Sequence, residues 1–405
     1  MRRSRAWWIC RAHRGGFGIL GQSANGAFWI DNSSGQFTTS TYYMQHLPEW
    51  ARVFNASGRI QQAEREANVD TSTTQFYDLV GRTPAANSYE LDFAKALITG
   101  EKLGQNGVTD EVAVSLSAND IQGHQFGPDS DSEEQMILSL DRDLDSFFSW
   151  LDQNVGLNNV WLALTADHGV APVPGEAAKL GIHAVAVDMD KVYDKLNEQL
   201  NEKHSKGQHQ DYLMSNPDLP YIVLDKRAFK KAGVDEAAAE KEVAELLPDA
   251  VAAQNPNPPP ILTGPQQVLG QPSEQRLPPA PRVQYVYTRL QLADGQLPPS
   301  QWGELLAHSY TSHGNWFVMM VLDSYQMAGS SQFGGTNHFS PWSYDRHVPL
   351  AFYGAPFKPG EYHELVAPVD MAVTFASLAG VNRPSAAVGR VLTEALKPMR
   401  ASSGQ

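Results

Sequence analysis

Residues 160–169 read VWLALTADHG, an apolar run that stops on a carboxylate, an imidazole and a glycine. Upstream, residues 110–120 read DEVAVSLSAND, which alternates and then runs apolar with β-branched and small residues. Both stretches predict strands, the first ending near Asp120 and the second at Asp167. Between them lies SEEQMILSLDRDLDSFFSWLDQNVG (132–156). Here Met136, Leu140, Leu144, Phe147, Phe148 and Leu151 recur at helical spacing. Ser132 and Gln135 suit a capping box, and Gly156 suits a stop. Strand, helix and strand at this length predict a βαβ unit with its two strands parallel. The fold class expected is therefore α/β, a mostly parallel central sheet flanked by helices in three layers.

The same pattern extends outward. WFVMMVLD (316–323) and VPLAFYG (348–354) read as further strands, and APVDMAVTFASLAG (367–380) as a packed helix. Between residues 186 and 310 the texture changes. MDKVYDKLNEQLNEKHSKG and DEAAAEKEVAELLPDA are charged amphipathic helices. NPNPPPILTGPQQVLGQPSEQRLPPAPR is Pro-rich and reads as an exposed connector. The expected organisation is a core of residues 1–185 and 311–405 with an inserted cap at 186–310. No internal repeats are visible.

Composition narrows the function. The chain has 405 residues, enough for one large domain or two ordinary ones. Its net charge of -14, from 31 basic and 45 acidic residues, argues against a nucleic-acid partner. Small phosphate substrates remain open, because a bound metal inverts the local potential. Cys10 is the single cysteine, so no internal disulfide forms. No apolar run approaches the roughly 18 residues of a membrane span. Arg11 and Arg14 interrupt any apolar stretch near the start, so no signal peptide is read there.

Five residues of metal-binding type fall in order along the chain. Asp120 and His124 lie in SANDIQGHQFGPDS, a Gly-rich turn by this reading. Asp167 and His168 follow the second strand. His338 lies in GGTNHFSPWSYDRHVPLAFYG, a loop before another strand. In open α/β sheets functional residues gather beyond the carboxyl ends of strands. Asp120, Asp167 and His168 fall there, and His338 joins them if its loop crosses that rim. Each piece alone also has a bland reading: a capping turn for Asp120 and His124, an N-cap for Asp167, a loop histidine for His338. Together, mixed carboxylate and imidazole ligands suit zinc, and two clusters suggest a two-metal site for phosphoryl transfer.

The segments TDEVAVSLSANDIQGHQFGPDS, LTADHGVAPVP and NHFSPWSYDRHVPLAFYG resemble the alkaline phosphatase superfamily. The branch is that of bacterial alkaline phosphatases related to type I phosphodiesterases and nucleotide pyrophosphatases. The stretches GQSANGAFWIDNSSGQFTTSTYYMQHLPEW (21–50) and GVNRPSAAVGRVL (380–392) look like the same branch, so the resemblance runs from about residue 14 to about residue 396. It implies one complete zinc site on Asp120, His124 and His338, and two ligands of a second zinc in Asp167 and His168. It also implies a small phosphate ester as substrate and a periplasmic or extracellular location. Oligomeric state stays open.

Three parts of the family pattern find no match. These are a first strand with a terminal aspartate, a helix bearing a threonine or serine nucleophile, and an asparagine touching the phosphoryl oxygens. Thr38, Thr39, Thr41 and Thr83 lie too late for the nucleophile, and residues 1–13 read as an artificial start. Aligning on GQSANGAFW puts Ala12 at the lysine of a Lys-x-Arg motif and Arg14 at its arginine. Arg14 is then either a bidentate phosphate clamp or a solvated arginine. The expectation is a zinc-dependent phosphate ester hydrolase whose nucleophile is not in view. The rivals are a non-catalytic metal- or phosphate-binding remnant, and a sulfatase- or phosphomutase-like relative.

Overall fold

The computed structural model describes residues 5–11, 24–68, 80–105, 107–205, 207, 209–214, 219–254, 281–297, 301–310, 315–329 and 335–398. Along the chain run β1 (Arg5–Arg11), β2 (Gly26–Ile30), β3 (Phe37–Thr38), α1 (Pro84–Gly100), β4 (Asp110–Val114), α2 (Ala118–Phe126), α3 (Asp131–Asn154) and β5 (Leu162–Thr165). Then come β6 (Val185–Asp188), α4 (Met189–His204), β7 (Tyr221–Val223), α5 (Glu236–Ala252), β8 (Val283–Thr288), β9 (Phe317–Leu322) and β10 (Gln326–Gly329). The last of those named here are β11 (Leu350–Tyr353) and α6 (Asp370–Leu378). The chain forms two compact units, one of residues 1–122, 130–167 and 348–405, the other of 123–129 and 168–347.

In the first unit the sheet order is β3-β2-β1-β4, with β1 parallel to both β2 and β4. β1 falls inside the stretch read as an artificial start. The arginines sit at the ends of β1, and its middle is rich in the β-branched and aromatic residues that favour strands. Trp7 and Ile9 alternate into the core. Helix α1 packs Tyr89, Phe93 and Leu97 onto the same core. Phe93 stacks on Phe37 at 3.7 Å between centroids and meets Phe28 edge-on at 5.4 Å. Each ring buried in this way stabilises the unit by about 1.5–3 kcal/mol.

Helix α3 forms where its periodicity predicts, but one turn of the capping differs. Ser130, not Ser132, is the N-cap, accepting a 3.2 Å hydrogen bond from the Glu133 amide. The early cap exposes Asp131 and Glu134 in the first turn, which complements the helix dipole. Gly156 takes a φ of 82° past the helix end, where its amide donates to the Leu151 carbonyl. The strands flanking α3 are not paired with each other. β4 pairs with β1, whereas β5 pairs antiparallel with β11, so the expected βαβ neighbours fall in separate ladders. The sheets are mixed rather than uniformly parallel.

In the second unit β9 is the middle of an antiparallel sheet ordered β7-β9-β8. All six of its residues are buried. Val318, Met320 and Leu322 face the cluster built with α4 and α5, while Phe317, Met319 and Val321 face another, as the period of two requires. Both partners of β9 come from the 186–310 segment. Residues 317–322 thus complete that segment's sheet within the second unit. A strand buried on both faces shows no alternation that would tell which sheet it joins. The Pro-rich connector lies outside the described residues up to Ala280.

Candidate metal centre

Asp120 and His124 stand on α2, not in a turn beyond a strand. The strand before them stops at Val114. Residues four apart on a helix share one face, so α2 presents both side chains together. The boundary between the units runs through this helix, between Gln122 and Gly123, so the helix itself keeps their spacing. The sequence hides α2 because Asn119, Asp120 and Gly123 are weak helix formers.

The second unit brings the histidines together. The His338 ring stacks on His168 at 3.5 Å between centroids with planes 15° apart. It lies 5.0 Å from the His124 ring. One ligand atom each from Asp120, His124 and His338 falls within 4.8 Å of the others. Asp167 is exposed just past β5 and immediately precedes His168. Arg14 lies outside the described residues.

Ring protons are set by neighbouring carbonyls. His124 Nδ1 lies 3.0 Å from the Thr336 carbonyl, and His168 Nδ1 lies 2.9 Å from the Gly169 carbonyl. A carbonyl only accepts, so each Nδ1 carries the proton and each Nε2 is the nitrogen that could hold a metal ion. Burial lowers the His338 pKa to about 3, helped by the neighbouring His168 and His124 imidazoles. The His338 ring is thus neutral, the form that suits a metal ion, and with the Asp120 carboxylate the donor set of the cluster is mixed nitrogen and oxygen.

Residues that bind nothing themselves hold this arrangement, and sequence reading missed them. The Thr336 amide donates to the His124 carbonyl at 2.9 Å, so the ring and the backbone of His124 both dock on Thr336. A Cβ on Gly335 would stand 1.8 Å from the His124 carbonyl oxygen. One on Gly169 would stand 2.2 Å from the Tyr344 carbonyl oxygen. Gly169 thus permits close backbone approach, and its amide donates to the Asp345 carbonyl at 2.8 Å.

Asp345 also escaped the sequence reading. Its Oδ2 accepts from the Ser340 amide at 2.9 Å and from the Ser340 hydroxyl at 2.5 Å. Burial raises its pKa to about 6. Backbone and side chain of this one residue therefore tie the His168 loop to the His338 loop. The early threonines have local roles. Thr39 Oγ1 donates to the Ala27 carbonyl, and Thr83 Oγ1 to the Val80 carbonyl.

Residues 3–287 match the family described as type I phosphodiesterase / nucleotide pyrophosphatase. The chain is 29% identical to the alkaline phosphatase PhoV of Synechococcus elongatus, over 93% of this chain and 68% of that one. A protein of Myroides odoratus named as a calcium-transporting ATPase is also 29% identical, over 95% of this chain and 70% of its own. The crystal structure of the wild-type alkaline phosphatase PafA superposes with a TM-score of 0.76 at 25% identity, covering 97% of this chain and 75% of PafA. Among the described residues no helix is long and apolar enough to cross a membrane. The α/β architecture, the matched family and these likenesses agree: the chain belongs to the type I phosphodiesterase / nucleotide pyrophosphatase family of phosphoric ester hydrolases, within the alkaline phosphatase superfamily.

Proposed function

We propose that this protein is a zinc-dependent hydrolase of small phosphate esters, acting at a two-metal site. The observation that carries the reading is the convergence of Asp120, His124 and His338, with His168 stacked against them. In this reading Asp120, His124 and His338 hold one zinc, while Asp167 and His168 serve a second. The ions would supply Lewis-acid charge for the phosphoryl oxygens. The chain's own part is to orient its ligands and to keep His338 neutral. The Thr336 and Gly169 carbonyls hold the His124 and His168 protons on Nδ1, and burial keeps His338 neutral. Asp345 and the two close-approach glycines keep the loops from relaxing apart. Preorganisation of this kind is the protein's main lever in phosphoryl transfer.

The alkaline phosphatase names of the relatives favour monoesters, and the family description keeps diesters open. The transport function in the Myroides relative's name is not carried over. A purified chain should retain zinc through dialysis and release phosphate from an aryl phosphate only when zinc is present. His338→Ala should lower zinc affinity at least about 10- to 100-fold, the range that even the loss of a supporting residue produces. Zinc binding without any ester hydrolysis would select the reading of a non-catalytic binding protein. Zinc binding unchanged in His338→Ala would remove the metal assignment itself.

A further inference from the structure

The residue after His338 departs from the rules that its neighbours follow. Phe339 has a φ of 97°, a region that bulky L-residues rarely enter. Its ring is 44% exposed, so its burial is only partial. Glycine would adopt this backbone without strain. The ring instead packs on the His338 imidazole, 4.2 Å between centroids and 38° between planes, and keeps aromatic surface toward solvent. Strained residues cluster where a ligand or a reaction uses them.

We infer that Phe339 is a specificity residue whose ring takes the flat organic group of the ester, so that aryl and heteroaryl phosphates are preferred over alkyl phosphates. The inference rests on the reading of the neighbouring cluster as a zinc-dependent phosphate ester site. The chemistry follows from the packing: a ring held at a tilt against His338, with the residue still 44% exposed, offers a stacking face beside a candidate ligand. Offset or edge-on contact with a second aromatic group adds affinity that an alkyl group does not gain.

The test compares binding of phenylphosphonate and methylphosphonate to the zinc-loaded chain by calorimetry, alongside zinc affinity and thermal melting. Phe339→Gly should fold at least as stably as the parent, because it removes the backbone strain. It should reduce the advantage of phenylphosphonate over methylphosphonate about five-fold, the ratio for roughly 1 kcal/mol of ring contact. Phe339→Tyr, which keeps the flat ring, should retain that advantage. A parent chain that binds both phosphonates equally overturns the platform and leaves the phosphate site standing. If the parent binds neither, the phosphate site itself falls, and the platform with it. If Phe339→Gly loses zinc and both phosphonates together, Phe339 acts through His338, and the inference is again overturned.

Discussion

Helix α2 and the two histidine loops place their candidate ligands by different physics. On α2, Asp120 and His124 meet because four residues make roughly one helical turn. Nothing distant is needed to set that spacing. The loops around His168 and His338 have no such internal ruler. They are positioned by a carbonyl against Gly335, a carbonyl against Gly169 and the bonds of Asp345. The ligands on the helix should therefore tolerate changes around them, while those on the loops depend on residues that ligate nothing.

Gly335→Ala attacks the loop side hardest. The new methyl group meets backbone rather than a flexible side chain, so the loop must leave His124. A loss of about 3 kcal/mol in unfolding free energy is expected, together with a large fall in zinc affinity. Denaturant melts and zinc titration check both, and an unperturbed variant would show that the loop has slack.

Asp345→Ala should rank next. It leaves the Ser340 amide and hydroxyl without their acceptor, at about 1–3 kcal/mol. Asp345→Asn keeps an acceptor and should lose less. Equal losses in the two variants would mean that the bonds to Ser340 are not what ties the loops.

A smaller effect separates the stability of the second unit from the placement of its histidines. Glu240 on α5 is buried, and burial raises its pKa above the ordinary carboxylate value. Between the unfolded pKa of about 4.5 and the raised folded value, the folded state binds more protons than the unfolded state. Stability then falls as pH rises through that window, by on the order of 1 kcal/mol. Glu240→Gln should flatten this dependence in melts taken from pH 4.5 to pH 8, with zinc affinity at neutral pH unchanged. A slope that survives the substitution assigns the dependence to another group.

The smallest expected effect is on the helix side. Gln125 is exposed on α2 beside His124. Gln125→Ala should change stability by less than about 0.5 kcal/mol and leave zinc affinity as it was. A marked loss of zinc would show that α2 relies on more than its own pitch.

Much of this was written locally. The apolar periodicity of α3, the strand at 162–165, the buried strand at 317–322 and the five candidate ligands are all readable in order along the chain, because period and residue type act over a few neighbours. β1 was not read as a strand because residues 1–13 match none of the family's motifs, whereas a strand needs only its alternating Trp7 and Ile9. Helix α2 was misread because its Asn, Asp and Gly favour turns in isolation.

The sequence by itself determined which side chains are candidate ligands and which stretches become strands and long helices, since both follow from residue type and short-range spacing. Tertiary structure alone decided which strand pairs with which, because backbone ladders carry no side-chain label. It alone decided the partner of each histidine ring, because Thr336 meets His124 across 212 positions of sequence. It also decided why Gly169, Gly335 and Asp345 matter. Their role is a close approach or a buried bond between loops, and such a contact exists only after the chain has folded.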